Sequence, residues 1–201
     1  METLEFYKDK INDIFIKTEY NTHISKTNEI FENCSIIKKE LINNNKPYDF
    51  YCAPNIMSNY LCDFVINESE KYADTNGWQS KRHKNYPTTD IPINEIPNLK
   101  IVINNFVKYD IFPIISDRYN VCKYFLDCHD LFVVKYDSNL KNKLETHKDG
   151  SIFSFNILLN HPDEFEGGGT IIEENEQQNL ILNTKGGLLL HSGQRFHSGN
   201  E

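Results

Sequence analysis

No run of apolar residues in this chain approaches the length needed to span a bilayer. The N-terminal stretch METLEFYKDKINDIFIK mixes charge throughout and lacks the uninterrupted apolar segment of a signal peptide. The expectation is a cytoplasmic or otherwise non-secreted protein without a membrane partner. Cysteine is sparse and unpaired in pattern. Cys34, Cys52, Cys62, Cys122 and Cys128 form no C-x-x-C, which excludes a zinc ribbon, and an odd count without a signal sequence fits reduced thiols. Positive charge is also short. Lys and Arg number 21 against 29 Asp and Glu, a net charge of -8, which argues against nonspecific nucleic-acid binding. Internal repeats and low-complexity tracts are absent as well. Two glycosylation-type triplets, at Asn33 and Asn67, carry no weight without secretion.

What remains is a globular composition, 39% hydrophobic, in a chain long enough for one substantial domain. Residues 1–47 read as a polar helical extension ending at Asn43-Asn44-Asn45-Lys46-Pro47, where three Asn and a Pro disfavour helix. Beyond it, Met57, Tyr60, Leu61, Phe64 and Val65 recur at helical spacing after an Asn55 or Ser58 cap, and Gly77 ends the run. Ile96, Leu99, Val102, Ile103, Phe106, Val107, Ile111 and Ile114 trace a second amphipathic helix. Between them QSKRHKNYPTTDIPI reads as irregular, with KRHKN a solvated cluster and Arg82 available to an acidic substrate.

From about residue 122 the period becomes strand-like. DLFVVKYD, SIFSFNILLN, GTIIEE, NLILNT and GGLLLHSG are short β-rich runs set apart by Asn, Asp, Gly or Pro. Such spacing predicts a mostly β domain with flanking helices, a sandwich or a jelly roll (double-stranded β-helix). At the start of the second run, His147 and Asp149 are two residues apart, so in a strand both project to one face. An octahedral iron(II) site that leaves room for a chelating cosubstrate and oxygen needs two His and one carboxylate on a single face. The third ligand must come from downstream, where His191 and His197 both stand before Ser-Gly, and spacing alone does not choose between them.

FVVKYDSNLKNKLETHKDGSIFSFNILLNHPDEFEGGGT, followed by GGLLLHSGQRFHSG and preceded by YPTTDIPI and CDFVINESEKYADTNGW, resembles the iron(II)/2-oxoglutarate dioxygenase domain of collagen lysyl hydroxylases and the related prolyl 4-hydroxylases. The resemblance covers residues 48–201 and favours the lysyl branch. It implies Fe(II) held by His147, Asp149 and His197, with Ser198-Gly199 a turn after the distal ligand and His191 a turn residue before it. It implies that Tyr136 and Asn156 hydrogen-bond 2-oxoglutarate, which with O2 supports hydroxylation of a peptidyl lysine or proline, with ascorbate as a further cofactor. Asn156 lies within an apolar strand, and burial obliges its amide to find a partner. Gly167 to Gly169 read as a sharp turn, and the resemblance implies that they also line the substrate path. A peptide or protein is the expected partner, and oligomeric state is left open.

One departure stands out. The family holds the distal carboxylate of 2-oxoglutarate with an Arg about ten positions after the distal His, whereas this sequence ends at Glu201. The domain is therefore expected to lack its last strand, or to hold the cosubstrate through Lys135 or Arg195. The alternatives to an enzyme are a catalytically inactive jelly-roll binding module without that anchor and, on fold analogy alone, a cupin-like small-molecule binder.

Overall fold

The computed structural model describes residues 49–174 and 176–201, which fall within one compact unit, Asn45–Glu201. The expected extension over residues 1–47 lies outside the described residues. Strand β1 (Tyr51–Ala53) comes first, a short pairing within YDFYCAP that its length hid from periodicity. Helix α1 (Asn59–Asn76) follows. The Ser58 hydroxyl accepts from the Leu61 N–H at 3.2 Å and caps its start, while Gly77, at φ +77°, donates its N–H to the Ala73 carbonyl and ends it. Cys62, Val65 and Ser69 form its buried stripe. Tyr60, expected on that stripe, is exposed, because two residues before Cys62 is about 200° around the helix.

The second predicted helix is real but interrupted. Helix α2 (Pro97–Phe106) passes through a π turn (Val107–Ile111) into α3 (Phe112–Tyr119). The Phe112 N–H reaches the Val107 carbonyl, five residues back, and Pro113 next to it has no N–H to give. Leu99, Ile103, Phe106, Val107, Ile111 and Ile115 bury one continuous face across both pieces. Asn120 stops α3 in the left-handed region at φ +53°. Among the described residues no helix is long and apolar enough to cross a membrane.

The remaining strands are antiparallel. β2 (Asp90–Pro92) and β3 (Phe132–Val134) form a ribbon, so the segment expected to be wholly irregular ends in a strand. β4 (Leu144–His147), β5 (Phe153–Ile157), β6 (Thr170–Glu174), β7 (Gln177–Ile181), β8 (Leu188–Ser192) and β9 (His197–Gly199) build two sheets, with orders β1-β8-β5 and β4-β9-β6-β7. Consecutive strands alternate between the sheets except at the β6–β7 hairpin. That alternation is the winding of a jelly roll, which agrees with the expected fold class. β8 is central in its sheet and buried along its whole length, so Leu188, Leu189 and Leu190 read as a continuous apolar run. Leu188 and Leu190 join the helix faces in one core, with Phe153, Phe155 and Ile157 of β5 packed against it. The opposite alternation on β5 aims Ser154 and Asn156 the other way, away from that core.

Candidate metal centre

His147 closes β4 and His197 opens β9, and the two are direct partners in the antiparallel ladder. Opposed residues share a face. Their rings accordingly lie side by side, with centroids 4.2 Å apart. Ser198 and Gly199, expected as a turn, continue β9 because they pair with Ile171 and Thr170 of β6. Asp149 lies just past the end of β4 rather than within a strand. Its N–H donates to the Gly193 carbonyl at 2.8 Å, which bends the chain toward the β8–β9 turn. The carboxylate nevertheless returns to the histidines, with Oδ1 3.4 Å from His147 Nε2 and Oδ2 3.5 Å from His197 Nε2. The ligand atoms of all three residues lie within 4.8 Å of one another.

The outer nitrogens decide what the inner ones offer. His147 Nδ1 is 2.8 Å from the Glu145 carbonyl oxygen, and His197 Nδ1 is 2.9 Å from that of Arg195. A carbonyl only accepts, so each Nδ1 carries the hydrogen and each neutral ring presents a bare Nε2. Two lone pairs and a carboxylate aimed at one point repel unless a metal ion lies between them or a proton occupies one ring. The donor set therefore fits a divalent transition metal held on one face by two His and one carboxylate, with backbone carbonyls orienting the rings.

Protonation follows from the same contacts. Burial alone disfavours the charged His147 ring, but the Asp149 carboxylate and the Glu145 carbonyl outweigh it and raise the ring's pKa. For Asp149, burial favours the neutral acid, yet hydrogen bonds from His147 and Ser154 and the adjoining imidazoles bring it down to about 2. Burial keeps His197 below its ordinary value.

Sequence reasoning overlooked two serines. The Ser154 hydroxyl donates to Asp149 Oδ2, and Ser151 Oγ lies 2.6 Å from Ser154 Oγ. Strand alternation carried the signal, since Ser154 shares a face with Asn156, but a serine in an apolar strand attracts little notice. Tyr86 was also missed. Its ring packs on His147, centroids 4.8 Å apart and tilted by 32°.

The other expected residues divide. His191 is not a turn residue. It lies within β8 opposite Ser154, buried, with Nδ1 2.9 Å from the Ser192 carbonyl and its ring 4.4 Å from that of His197. Burial, then the charge of His197, lowers it to about 4, and it stands outside the converging ligand set. Tyr136 follows β3, and its hydroxyl reaches β9, 2.7 Å from where a Cβ on Gly199 would sit. Burial of that end raises the phenol pKa. Asn156 is exposed rather than buried, because its face of β5 is the one opposite the core, and its amide donates to Thr170 Oγ1 of β6 at 3.2 Å.

Neither substitute cation stands open to an anion. Lys135 Nζ is 2.8 Å from Glu70 and lies over the Trp78 ring, while buried Arg195 reaches Glu174 at 3.1 Å. Each is committed because an aliphatic stem packed into protein needs a local counter-charge for its head. Arg82 is likewise committed, to Asp90 at 2.6 Å and Asp130 at 2.9 Å. Gly167 to Gly169 all take positive φ, as a turn requires. Gly168 N–H donates to the Glu201 carbonyl and Gly169 accepts from Asn200 N–H, both at 3.0 Å, so the turn lies against backbone.

No family model matches the chain. Among curated proteins it is similar to human procollagen-lysine,2-oxoglutarate 5-dioxygenase 2, 32% identical over 123 residues, covering 57% of this chain and 16% of that protein. It is also similar to rat procollagen-lysine,2-oxoglutarate 5-dioxygenase 1, 31% identical over 159 residues, covering 74% of this chain and 21% of that protein. The chain thus spans about a fifth or less of the length of the curated relatives it matches. Among solved structures, a viral collagen prolyl hydroxylase from Paramecium bursaria Chlorella virus-1, in a 2-oxoglutarate complex, aligns with a TM-score of 0.47 at 16% identity, over 75% of this chain and 93% of that one. Sequence similarity links 57 to 74% of this chain to the procollagen-lysine,2-oxoglutarate 5-dioxygenases, as the order of its motifs implied.

Proposed function

We propose that this chain carries an iron(II)- and 2-oxoglutarate-dependent hydroxylase site that acts on a peptidyl lysine or proline. The observation that supports it most is the convergence of His147, Asp149 and His197, with the Nε2 atoms of both rings facing the carboxylate. Similarity to relatives named for procollagen lysine and 2-oxoglutarate supports the reaction class. Iron(II) bound there would supply the oxidative chemistry, using 2-oxoglutarate and O2, with ascorbate as the reductant that returns the metal to its ferrous state.

The chain's own residues do the rest. The Glu145 and Arg195 carbonyls fix the two imidazoles in the tautomer that offers Nε2. Ser154 occupies Asp149 Oδ2, which leaves Oδ1 freer to ligate and favours one carboxylate oxygen over a chelating pair. A single carboxylate contact keeps other coordination positions open. Tyr136, with its hydroxyl end drawn toward β9, and Asn156, on the β5 face that looks across to β6, supply hydrogen bonds for 2-oxoglutarate.

Succinate formation tests the reading. Purified protein with Fe(II), 2-oxoglutarate, ascorbate and O2 should release succinate faster with a Lys-containing collagen-like peptide than with a Pro-only one. Equal stimulation by both, or by free lysine, removes the peptidyl-lysine assignment, and failure to bind Fe(II) removes the whole reading.

A second reading has its own observation. Lys135 and Arg195, the cations the sequence offers for the distal carboxylate, are held by Glu70 and Glu174. A jelly roll that binds metal but holds 2-oxoglutarate weakly is an inactive binding module. Anaerobic calorimetry of 2-oxoglutarate into the Fe(II) protein separates the two, with tight binding expected of the enzyme.

A further inference from the structure

The segment between α1 and β2 closes on itself. Gln79 and Asp90 exchange backbone hydrogen bonds at 3.0 and 2.9 Å, so residues 80–89 leave and return through one neck, in the manner of an Ω-loop. Asp90 at that neck is fully buried, and the loop's own side chains close around it. Arg82 Nε donates to Asp90 Oδ1 at 2.6 Å, the Thr88 hydroxyl donates to Oδ2, and His83 Nε2 stands 3.6 Å from Oδ2. Arg82 continues to Asp130 at 2.9 Å and lies over the Phe132 ring, 4.6 Å from its centroid, which ties the loop to the chain leading into β3. A further bond, Lys135 N–H to the Thr89 carbonyl at 2.8 Å, fixes the loop's other end beside Tyr136.

A buried carboxylate bonded by a guanidinium and a hydroxyl is rigid, since loosening any partner strands charge in a low-dielectric interior. What the clamp presents is Tyr86, whose ring lies on His147. His147 thereby contacts two rings, Tyr86 at 4.8 Å and His197 at 4.2 Å. The carbonyl of Glu145 restrains His147 at Nδ1 alone and leaves the ring free to swing about that bond. The tilted contact of the Tyr86 ring restrains that swing.

We infer that Tyr86 is a positioning residue of the metal centre, pressed onto His147 by the Arg82–Asp90 clamp so that Nε2 stays aimed at the metal. The inference rests on the proposed metal-binding role of His147. The ring, rather than the phenol hydroxyl, does the positioning, so phenylalanine must substitute for it.

Anaerobic Co(II) titration followed by visible absorption tests this, because the ligand-field spectrum reports ligand geometry as well as affinity. Tyr86→Ala should weaken Co(II) binding by about tenfold, as loss of ligand-orienting partners does, and should shift the spectrum. Tyr86→Phe should restore both. Asp90→Asn, which slackens the clamp, should reproduce the Tyr86→Ala spectrum. Chemical unfolding of each metal-free variant guards against a fold defect, and Tyr86 lies on the surface of the loop, so its truncation should leave the midpoint nearly unchanged. Wild-type affinity and spectrum in Tyr86→Ala, or failure of Tyr86→Phe to restore them, overturns the inference. Absence of Co(II) binding by the wild-type protein would instead overturn the metal-site reading on which it rests.

Discussion

Beside His147, the rings of His191 and His197 lie 4.4 Å apart, and of these two only His197 is directed at the carboxylate. His197 sits at the start of β9, opposite His147, with its Nδ1 tied to a carbonyl and its Nε2 toward Asp149. His191 lies behind it on β8, buried and engaged with the Ser192 carbonyl. The consequence is a separation of effects. His197→Ala, like His147→Ala and Asp149→Ala, should abolish measurable Fe(II) or Co(II) binding in anaerobic titration. His191→Ala should keep metal affinity within a few-fold of wild type while lowering unfolding free energy by about 1–3 kcal/mol, through lost packing and loss of one of the two donors to the Ser192 carbonyl, the other being the Arg195 N–H. The reverse pattern, with affinity lost in His191→Ala and kept in His197→Ala, would move the distal ligand to β8. The motif alone left both histidines open, and the resemblance favoured His197. What the structure adds is spatial, since the pairing of β4 with β9 sets His197 opposite His147.

At the level of elements, the fold was most legible where one local signal sufficed. Ser58 and Gly77 mark both ends of α1, and the apolar runs of β5, β6 and β8 stand out by composition. Legibility failed where partners are distant in sequence. β1 and β9 are short strands whose only warrant is a ladder, to β8 in one case and to β4 and β6 in the other. The loop over residues 80–89 read as a solvated basic cluster because nothing local shows that Asp90 is buried or that Arg82 turns inward to meet it. One glycine shows how closely these elements fit. Gly186, at φ +73° before β8, lies against the segment that leads into α1. It donates to the Leu158 carbonyl and accepts from Met57 N–H at 3.0 Å, and any Cβ there would collide with the Met57 carbonyl. Gly186→Ala should destabilise by about 2–4 kcal/mol, the sum of left-handed backbone strain and forced displacement. Gly150→Ala, where nothing lies within 4 Å of an added Cβ, should change stability by less than about 0.5 kcal/mol. Urea unfolding of the metal-free variants measures both, and equal effects would show that the Gly186 approach is not a constraint.

Across the whole molecule, the proposed ligands come from places that meet only when the sheets have formed. His147 and Asp149 lie at the end of β4 and just past it, whereas His197 opens β9 after β5, β6, β7 and β8 have been laid down between them. An unfolded chain holds the first pair close but leaves the third ligand remote, so a metal that needs all three binds the folded state almost exclusively. Such a ligand stabilises by mass action, about 2.7 kcal/mol at a hundredfold excess over its dissociation constant. For a chain of this size each kcal/mol raises Tm by about 2–4 °C, so saturating Co(II) or anaerobic Fe(II) should raise Tm by about 5–11 °C. A chelator should reverse the shift, and His197→Ala should show little of it, because the remaining pair is local and binds folded and unfolded chains with more nearly equal weakness. Scanning calorimetry at several metal concentrations gives the answer directly. A Tm indifferent to metal in the wild type, or an equal rise in His197→Ala, would mean that β4 and β9 do not share a metal, whatever their side chains' proximity.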